Sequence, residues 1–209
     1  MYNLPYFKEQ DVSVVIEFMK QHPFAMVIGV DAENKPVATQ VPLLLKERNE
    51  ELFLQAHIMK HTDHHKAFEQ NQDVLVVFTG PTAYVSASLY ENKQQGSTWN
   101  YQSVHAKGKL NFLDEQGLLQ LLDELTSHFE NDPSSPSLYK NLPEDYIQRL
   151  SKAIVAFEIQ VTGIENVFKL SQNRDKKSFE NIAEHLGKGN ADQQYIAGEM
   201  NKIKGKLFD

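Results

Sequence analysis

The chain has 209 residues, room for one large domain or two very small ones. Its 41% hydrophobic, 23% charged and 10% aromatic content is that of a folded globular protein and excludes a disordered one. Twenty-one Lys and Arg stand against 28 Asp and Glu, and the net charge of −7 repels a phosphate backbone and weighs against direct duplex binding. No apolar run approaches the ~20 residues that cross a bilayer. Met1–Glu9 mixes aromatics with both charge signs, unlike a secretory signal. The absence of cysteine removes disulfides, thiolate nucleophiles, iron–sulfur clusters and Cys-based zinc sites, and the expected location is the cytoplasm.

Asp11 is placed to cap a helix whose apolar face is Val12, Val15, Ile16 and Met19. His22-Pro23 ends it. Phe24–Val30 is short and continuously apolar, which predicts a strand buried on both faces or lying on a barrel wall under a helix. A second strand is predicted over Val37–Leu45, with Pro42 marking an edge or bulge, and a third over Leu52–Ala56. The three read as an antiparallel meander. A short helix through Phe68 follows. Val74–Phe78 and Ala83–Ala87 predict two more strands around a turn at Gly80-Pro81. Alternation from Val104 to Phe112 predicts another. Asp114 caps a helix carrying Leu118, Leu121, Leu122, Leu125 and Phe129 on one face. A long loop, 131–143, leads to a helical stretch around Tyr146, Ile147 and Leu150, and then to a last strand over Ile154–Ile159 that extends at most to Val161. The tail reads as helix, with Phe179, Ile182, Ala183 and Leu186, then Ile196, Met200, Ile203 and Leu207, as its apolar positions. About seven strands with short links predict an α+β chain built on an antiparallel barrel.

The glycine-rich, Walker, G-x-S-x-G and H-E-x-x-H strings are absent, which removes the usual dinucleotide, NTP, α/β-hydrolase and zincin chemistries. Half of the eight histidines, His57, His61, His64 and His65, fall in one strand-to-helix crossing. Three readings of it stand open. It is a solvated crossing; or a metal site, if His57, His61 and His64 share a helix face; or an anion site, where Thr62 or Asp63 caps the helix and Lys60, His64, His65 and Lys66 gather at its positive end. Trp99, the only tryptophan, is either a core aromatic or the wall of a planar ligand's pocket, with Asn100 beside it as donor and acceptor. The string Lys169 to Arg174 is either a solvated turn or a set of polar groups at a strand end that suits the edge of a polar ring system.

Five pieces in order also carry a resemblance. They are His22-Pro23-Phe24-Ala25, Gly80-Pro81 with Ala83-Tyr84-Val85-Ser86, Thr98-Trp99-Asn100-Tyr101, Val104-His105-Ala106, and Lys169-Leu170-Ser171-Gln172-Asn173-Arg174. Together, from about Met1 to Arg174, they resemble the PaiB-type family of FMN-binding negative transcriptional regulators. The resemblance implies a split β-barrel of the pyridoxamine-phosphate-oxidase and flavin-reductase type with peripheral helices, forming a homodimer with FMN between subunits. It divides the chain into a flavin-binding domain, 1–174, and a C-terminal helical extension, 175–209. It implies that Lys60, Thr62 and His64 hold the phosphate, that His57 meets phosphate or ribityl, and that backbone groups of Gln40, Val41 and Pro42 meet the ring edge. Trp99 and Asn100 fall in the ring region, and Lys169 and Gln172 reach the pyrimidine side from the partner subunit. No catalytic acid or base and no metal ligand is assigned. Thr82, Ala87, Leu89 and Phe168 stand where the family usually has His, Pro, Trp and Trp, and Thr62-Asp63 where it tends to have Asn-Pro. The implied function is negative regulation of transcription, with the acidic charge arguing against direct DNA contact. The alternatives are a flavin-dependent oxidoreductase of a small molecule and an interaction module that has lost its flavin.

Overall fold

Leu43 is a one-residue link between two strands, and it decides the architecture. The computed structural model describes residues 1, 2 and 4–208. Helix α1, Val12–Gln21, leads into β1, Phe24–Val30, and β2, Pro36–Pro42; β3, Leu44–Arg48, and β4, Glu51–Met59, follow. Then come α2, Asp63–Gln70; β5, Asp73–Val85; β6, Thr98–Phe112; α3, Glu115–Glu130; α4, Glu144–Ala153; and β7, Ile154–Lys169. Helices α5, Lys176–Gly187, and α6, Ala191–Phe208, complete the chain. The sheet order is β2-β1-β5-β6-β7-β4-β3, so β2 and β3 are its two edges. One residue spans under ~4 Å. Two edges tied by Leu43 therefore force the sheet to curl on itself, and the α+β split barrel follows. Leu43 is buried, and its N–H donates to the Pro23 carbonyl at 2.9 Å.

The chain divides into two compact units. The second comprises Met19–Phe78 and His105–Ile164 and holds β1 to β4 whole, with parts of β5, β6 and β7. Antiparallel hairpins β1–β2 and β3–β4, and the pairing of β4 with β7, build it. Leu118, Leu121, Leu122 and Leu125 of α3 pack with Leu44, Ile154 and Ala156. Asp114 caps α3 by accepting from the Gly117 N–H at 2.8 Å. The first unit comprises Met1–Phe18, Thr79–Val104 and Glu165–Asp209. Its core joins Ala83, Val85 and Tyr90 to Leu170 and to the apolar faces of α5 and α6, with Phe179, Ile182, Leu186, Ile196 and Met200 among them.

Several expectations are corrected. The meander is two hairpins, because the predicted Val37–Leu45 strand breaks at Leu43. The two strands expected around Gly80-Pro81 are one, β5. Val74, Val76 and Phe78 are buried in one parity and Ala83 and Val85 in the other, so the Gly-Pro pair shifts the phase of the strand without turning it. Strand β6 begins at Thr98 and β7 runs to Lys169, both far beyond the alternating stretch in the sequence. β1 buries one face only, with Phe24 61% and Met26 36% exposed. Val12, in the first turn of α1, Phe129, in the last turn of α3, and Leu207, in the last turn of α6, are exposed, and Phe18 joins Val15 and Met19 in the core instead.

Gly108 of β6 lies tight against β7: a Cβ there would meet the Gln160 carbonyl oxygen and Ile159 Cγ2, each at 2.5 Å. The backbone oxygen cannot rotate away. Gly108→Ala is expected to destabilise the fold by about 1–3 kcal/mol, read as a lowered urea midpoint.

Candidate functional site

Within the second unit, the strand-to-helix crossing gathers four of the residues singled out in the sequence. His57 lies inside β4, and Lys60 to Thr62 form the turn. His61 takes a left-handed backbone, φ 68°, which ends the strand and aims the chain into α2. Thr62 caps α2, its hydroxyl oxygen accepting from the His65 N–H at 3.3 Å and its hydroxyl donating to the Met59 carbonyl at 3.0 Å. The strand ends before His61, so His57, His61 and His64 do not share a helix face. Among the described residues no three His, Asp or Glu side chains gather as a metal-ligand set.

The polar atoms here differ in one respect. The Lys60 ammonium donates to the Ser151 carbonyl at 3.3 Å, and its N–H donates to the Ala153 carbonyl at 2.9 Å. The His64 ring lies between the Asp63 carboxylate and the Thr62 hydroxyl, 3.0 Å from each. His57 Nδ1 is shut off from water and has no partner. His65 is also buried, its ring 5.0 Å from that of Phe112, and its Nδ1, 3.7 Å from the Glu69 carboxylate, likewise has no hydrogen-bond partner among the described residues. Burial holds both imidazoles below the ordinary histidine range; for His65 the Glu69 charge opposes this in part.

On the same unit, the register of β1 and β2 sets Phe24 opposite Pro42 and Met26 opposite Gln40. Opposed residues share a face. Gln40 and Pro42 therefore flank two exposed large apolar side chains, while Val41, 8% exposed, turns inward. Phe24 and Met26 escaped the sequence reading because both faces of β1 are apolar and no alternation shows.

Within the first unit, Trp99 is 54% exposed, so it is not a core aromatic. Its ring meets Tyr84, itself exposed, edge-on at 5.6 Å. Tyr84 also went unnoticed, although strand alternation puts it opposite in facing to Ala83 and Val85. Asn100 points the other way and is fully buried. Its carbonyl accepts from the Ser171 hydroxyl at 3.0 Å and its amide donates to Met200 Sδ at 3.5 Å. That bond holds Ser171, whose φ of 65° turns the chain out of β7. Gln172 closes the same turn by accepting from the Leu170 N–H at 2.7 Å and donating to the Phe168 carbonyl. The Lys169 ammonium donates to Thr98 Oγ1 and the Trp99 carbonyl and lies 5.7 Å from the Phe7 ring centre. Burial, and then the charge of Arg174, hold it below the ordinary lysine value.

A curled antiparallel barrel, a capped helix after its fourth strand and an exposed apolar strip beside the end of β2 define an FMN-binding split-barrel protein. The sequence pattern of the family described as "Putative FMN-binding domain" matches residues 1–163, and the chain belongs to that family. FMN is its cofactor. The chain is 33% identical over 186 residues to "Protease synthase and sporulation protein PAI 2" of Bacillus subtilis, covering 89% of each. It is similar in fold to a "putative 5-nitroimidazole antibiotic resistance protein" of Bacteroides thetaiotaomicron, at 16% identity and TM-score 0.54, covering 76% of this chain and 84% of that one. It is likewise similar to an FAD and heme binding protein of Mycobacterium smegmatis, at 15% identity and TM-score 0.54, covering 77% and 72%. Among the described residues no helix is long and apolar enough to cross a membrane.

The donor set at the crossing fits a phosphate monoester: a buried imidazole nitrogen lacking a partner stands on the strand that leads into a capped helix.

The buried histidines set a pH dependence. Unfolded, each titrates near 6.5; folded, below that. The unfolded chain therefore binds more protons in acid, and the stability tied to neutral His57 and His65 is complete above about 6.5 and lost as the pH falls below it. Urea midpoints measured from about pH 8 to 5 are expected to fall, and His57→Gln with His65→Gln to flatten that fall.

Proposed function

We propose that the chain is a cytoplasmic, homodimeric FMN-binding negative regulator of transcription. The observation that carries the reading is the exposed strip of Phe24 and Met26 beside Gln40 and Pro42. Apolar side chains of that size left in water on a strand suit a second copy of the chain, a flavin ring, or both. The relative from Bacillus subtilis carries protease synthesis and sporulation in its name, which supports a role in gene control. The net charge of −7 argues that control runs through a partner or a sensed ligand and not through strong direct DNA contact.

In this reading residues 1–174 are the flavin-binding domain and 175–209 its helical extension. His57 offers its unpartnered nitrogen to the phosphate or ribityl chain, and Lys60, Thr62 and His64 shape the phosphate corner. The Gln40, Val41 and Pro42 backbone meets the ring edge. Trp99 supplies an aromatic wall, and Lys169 a cation toward the pyrimidine side. Asn100 and Gln172 act by fixing the turn that follows Lys169. Bound FMN supplies a ring that takes up and releases electrons, and a cation at the pyrimidine side favours its reduced, anionic form. Every other task, namely binding, orienting and excluding water, belongs to these side chains.

Purified chain titrated with FMN is expected to bind it with quenching of flavin fluorescence. His57→Leu is expected to weaken binding about tenfold or more. Phe24→Glu is expected to split the dimer in sedimentation and to lower FMN affinity with it. Gel shifts with upstream regions of the protein's own operon are expected to show no complex at micromolar protein alone. A flavin bleached by NAD(P)H and turned over by an acceptor would replace regulation with oxidoreductase activity.

A further inference from the structure

A cavity of about 350 Å³ opens to solvent in the second unit, between the end of α1, the link from β2 to β3 and the C-terminal half of α3. Pro23 and the run Leu43–Leu45 supply its apolar surface, and the buried Leu43 and Leu44 form its floor. The rest of the lining is Lys20, Lys46, Glu124, Ser127 and His128. Lys46 pairs with Glu124 at 2.8 Å, and Glu124 also accepts from the Gln120 amide at 3.2 Å. Lys20 pairs with Glu47 at 3.2 Å, and Glu47 stands outside the lining. An ammonium carries three N–H groups, and these contacts engage one on each lysine. The lining therefore sets two cations against one carboxylate, and that carboxylate is already bonded twice.

The groups present narrow the occupant. A divalent cation would find a single carboxylate, already paired, where it wants several oxygen ligands. Inorganic phosphate would use the ammonium groups and leave the leucine run uncovered. An alkyl amine would cover the leucines and meet two like charges. An apolar body with an anionic head covers the leucines and takes up the spare N–H donors. The volume lies at the low end of the roughly 300–1,000 Å³ of small-molecule sites, which sets a body of about eight carbons. We propose that this cavity binds a medium-chain monocarboxylate, with its chain on Pro23 and Leu43–Leu45 and its carboxylate at Lys20 and Lys46. None of the nine lining residues belongs to the flavin assignment. In the regulatory reading above this molecule is the sensed ligand, but its binding does not depend on that reading. The occupant rests on Leu43, the link that closes the barrel, so it binds the folded chain and not the unfolded one.

Isothermal titration of the FMN-saturated full chain tests this with octanoate, octanol, octylamine and acetate. Octanoate is expected to bind below about 1 mM, octanol about tenfold more weakly, and octylamine and acetate more weakly still. Saturating octanoate is expected to raise the urea midpoint, and acetate at the same concentration to leave it in place. Ser127 is an exposed position on α3, so Ser127→Trp fills the cavity without disturbing the core and is expected to abolish octanoate binding. Lys20→Met is expected to bring octanoate down to the affinity of octanol. No octanoate binding up to about 10 mM overturns the proposal. So does octylamine binding as tightly as octanoate, which means an apolar surface with no choice of head group. Octanoate binding unchanged in Ser127→Trp overturns it too, because the ligand then sits elsewhere. The four probes act on unaltered protein and decide the matter even if a variant fails to fold.

Discussion

Closure through Leu43 is the constraint from which the rest follows. A seven-stranded sheet with free edges would expose two rows of unpaired amides and carbonyls. Here the two edge strands are successive in the chain with one residue between them, so they cannot drift apart. Curling follows from chain length alone, before any side chain is considered. The buried residues of β4, Leu54, Ala56 and Ile58, then face an enclosed interior, and the strand ends where His57 and the α2 cap must turn the chain. The same closure brings β2 to its finish at Gln40–Pro42, next to the exposed half of β1.

The polar groups fall into two kinds, and the difference separates scaffold from site. Most are matched inside the fold: Lys60 by Ser151, His64 by Asp63 and Thr62, Asn100 by Ser171 and Met200, Gln172 by the backbone of its own turn. A few are not. Among the described residues His57 Nδ1, His65 Nδ1, Gln102 Oε1 and Arg174 Nε are walled off from water with nothing to bond. Leaving such a group unmatched costs about 1–3 kcal/mol, which a ligand that satisfies it gives back on binding. His57 and His65 lie in the second unit, Gln102 and Arg174 in the first.

Legibility in the sequence followed the contrast between neighbouring residues. Helices with one apolar stripe, α3 and α5, and the α3 cap at Asp114, were readable because polar and apolar positions alternate at helical spacing, whereas the α5 cap at Asp175 was not singled out. Strand β1 was misread on its outer face, since Phe24, Met26 and Ile28 are as apolar as Ala25 and Val27. The count of seven strands came out through two compensating errors, one strand too few at Leu43 and one too many at Gly80-Pro81. Local signals mark a break or a turn residue but do not say whether the chain turns there or only changes phase. The resemblance could nominate residues for the flavin by motif, yet the direction of each side chain could not be read from it. Asn100 and Trp99 are adjacent, and one is sealed in the core while the other stands in water.

The first unit is assembled from three separate stretches of chain, one from each end and one from the middle, and strands β5, β6 and β7 each pass through both units. During synthesis, then, its interior stays open until Phe179, Ile182, Ile196 and Met200 have left the ribosome. Neither unit can be cut out as a continuous fragment, and a truncation at the end of the flavin-binding stretch would strip Ala83, Val85 and Tyr90 of their cover.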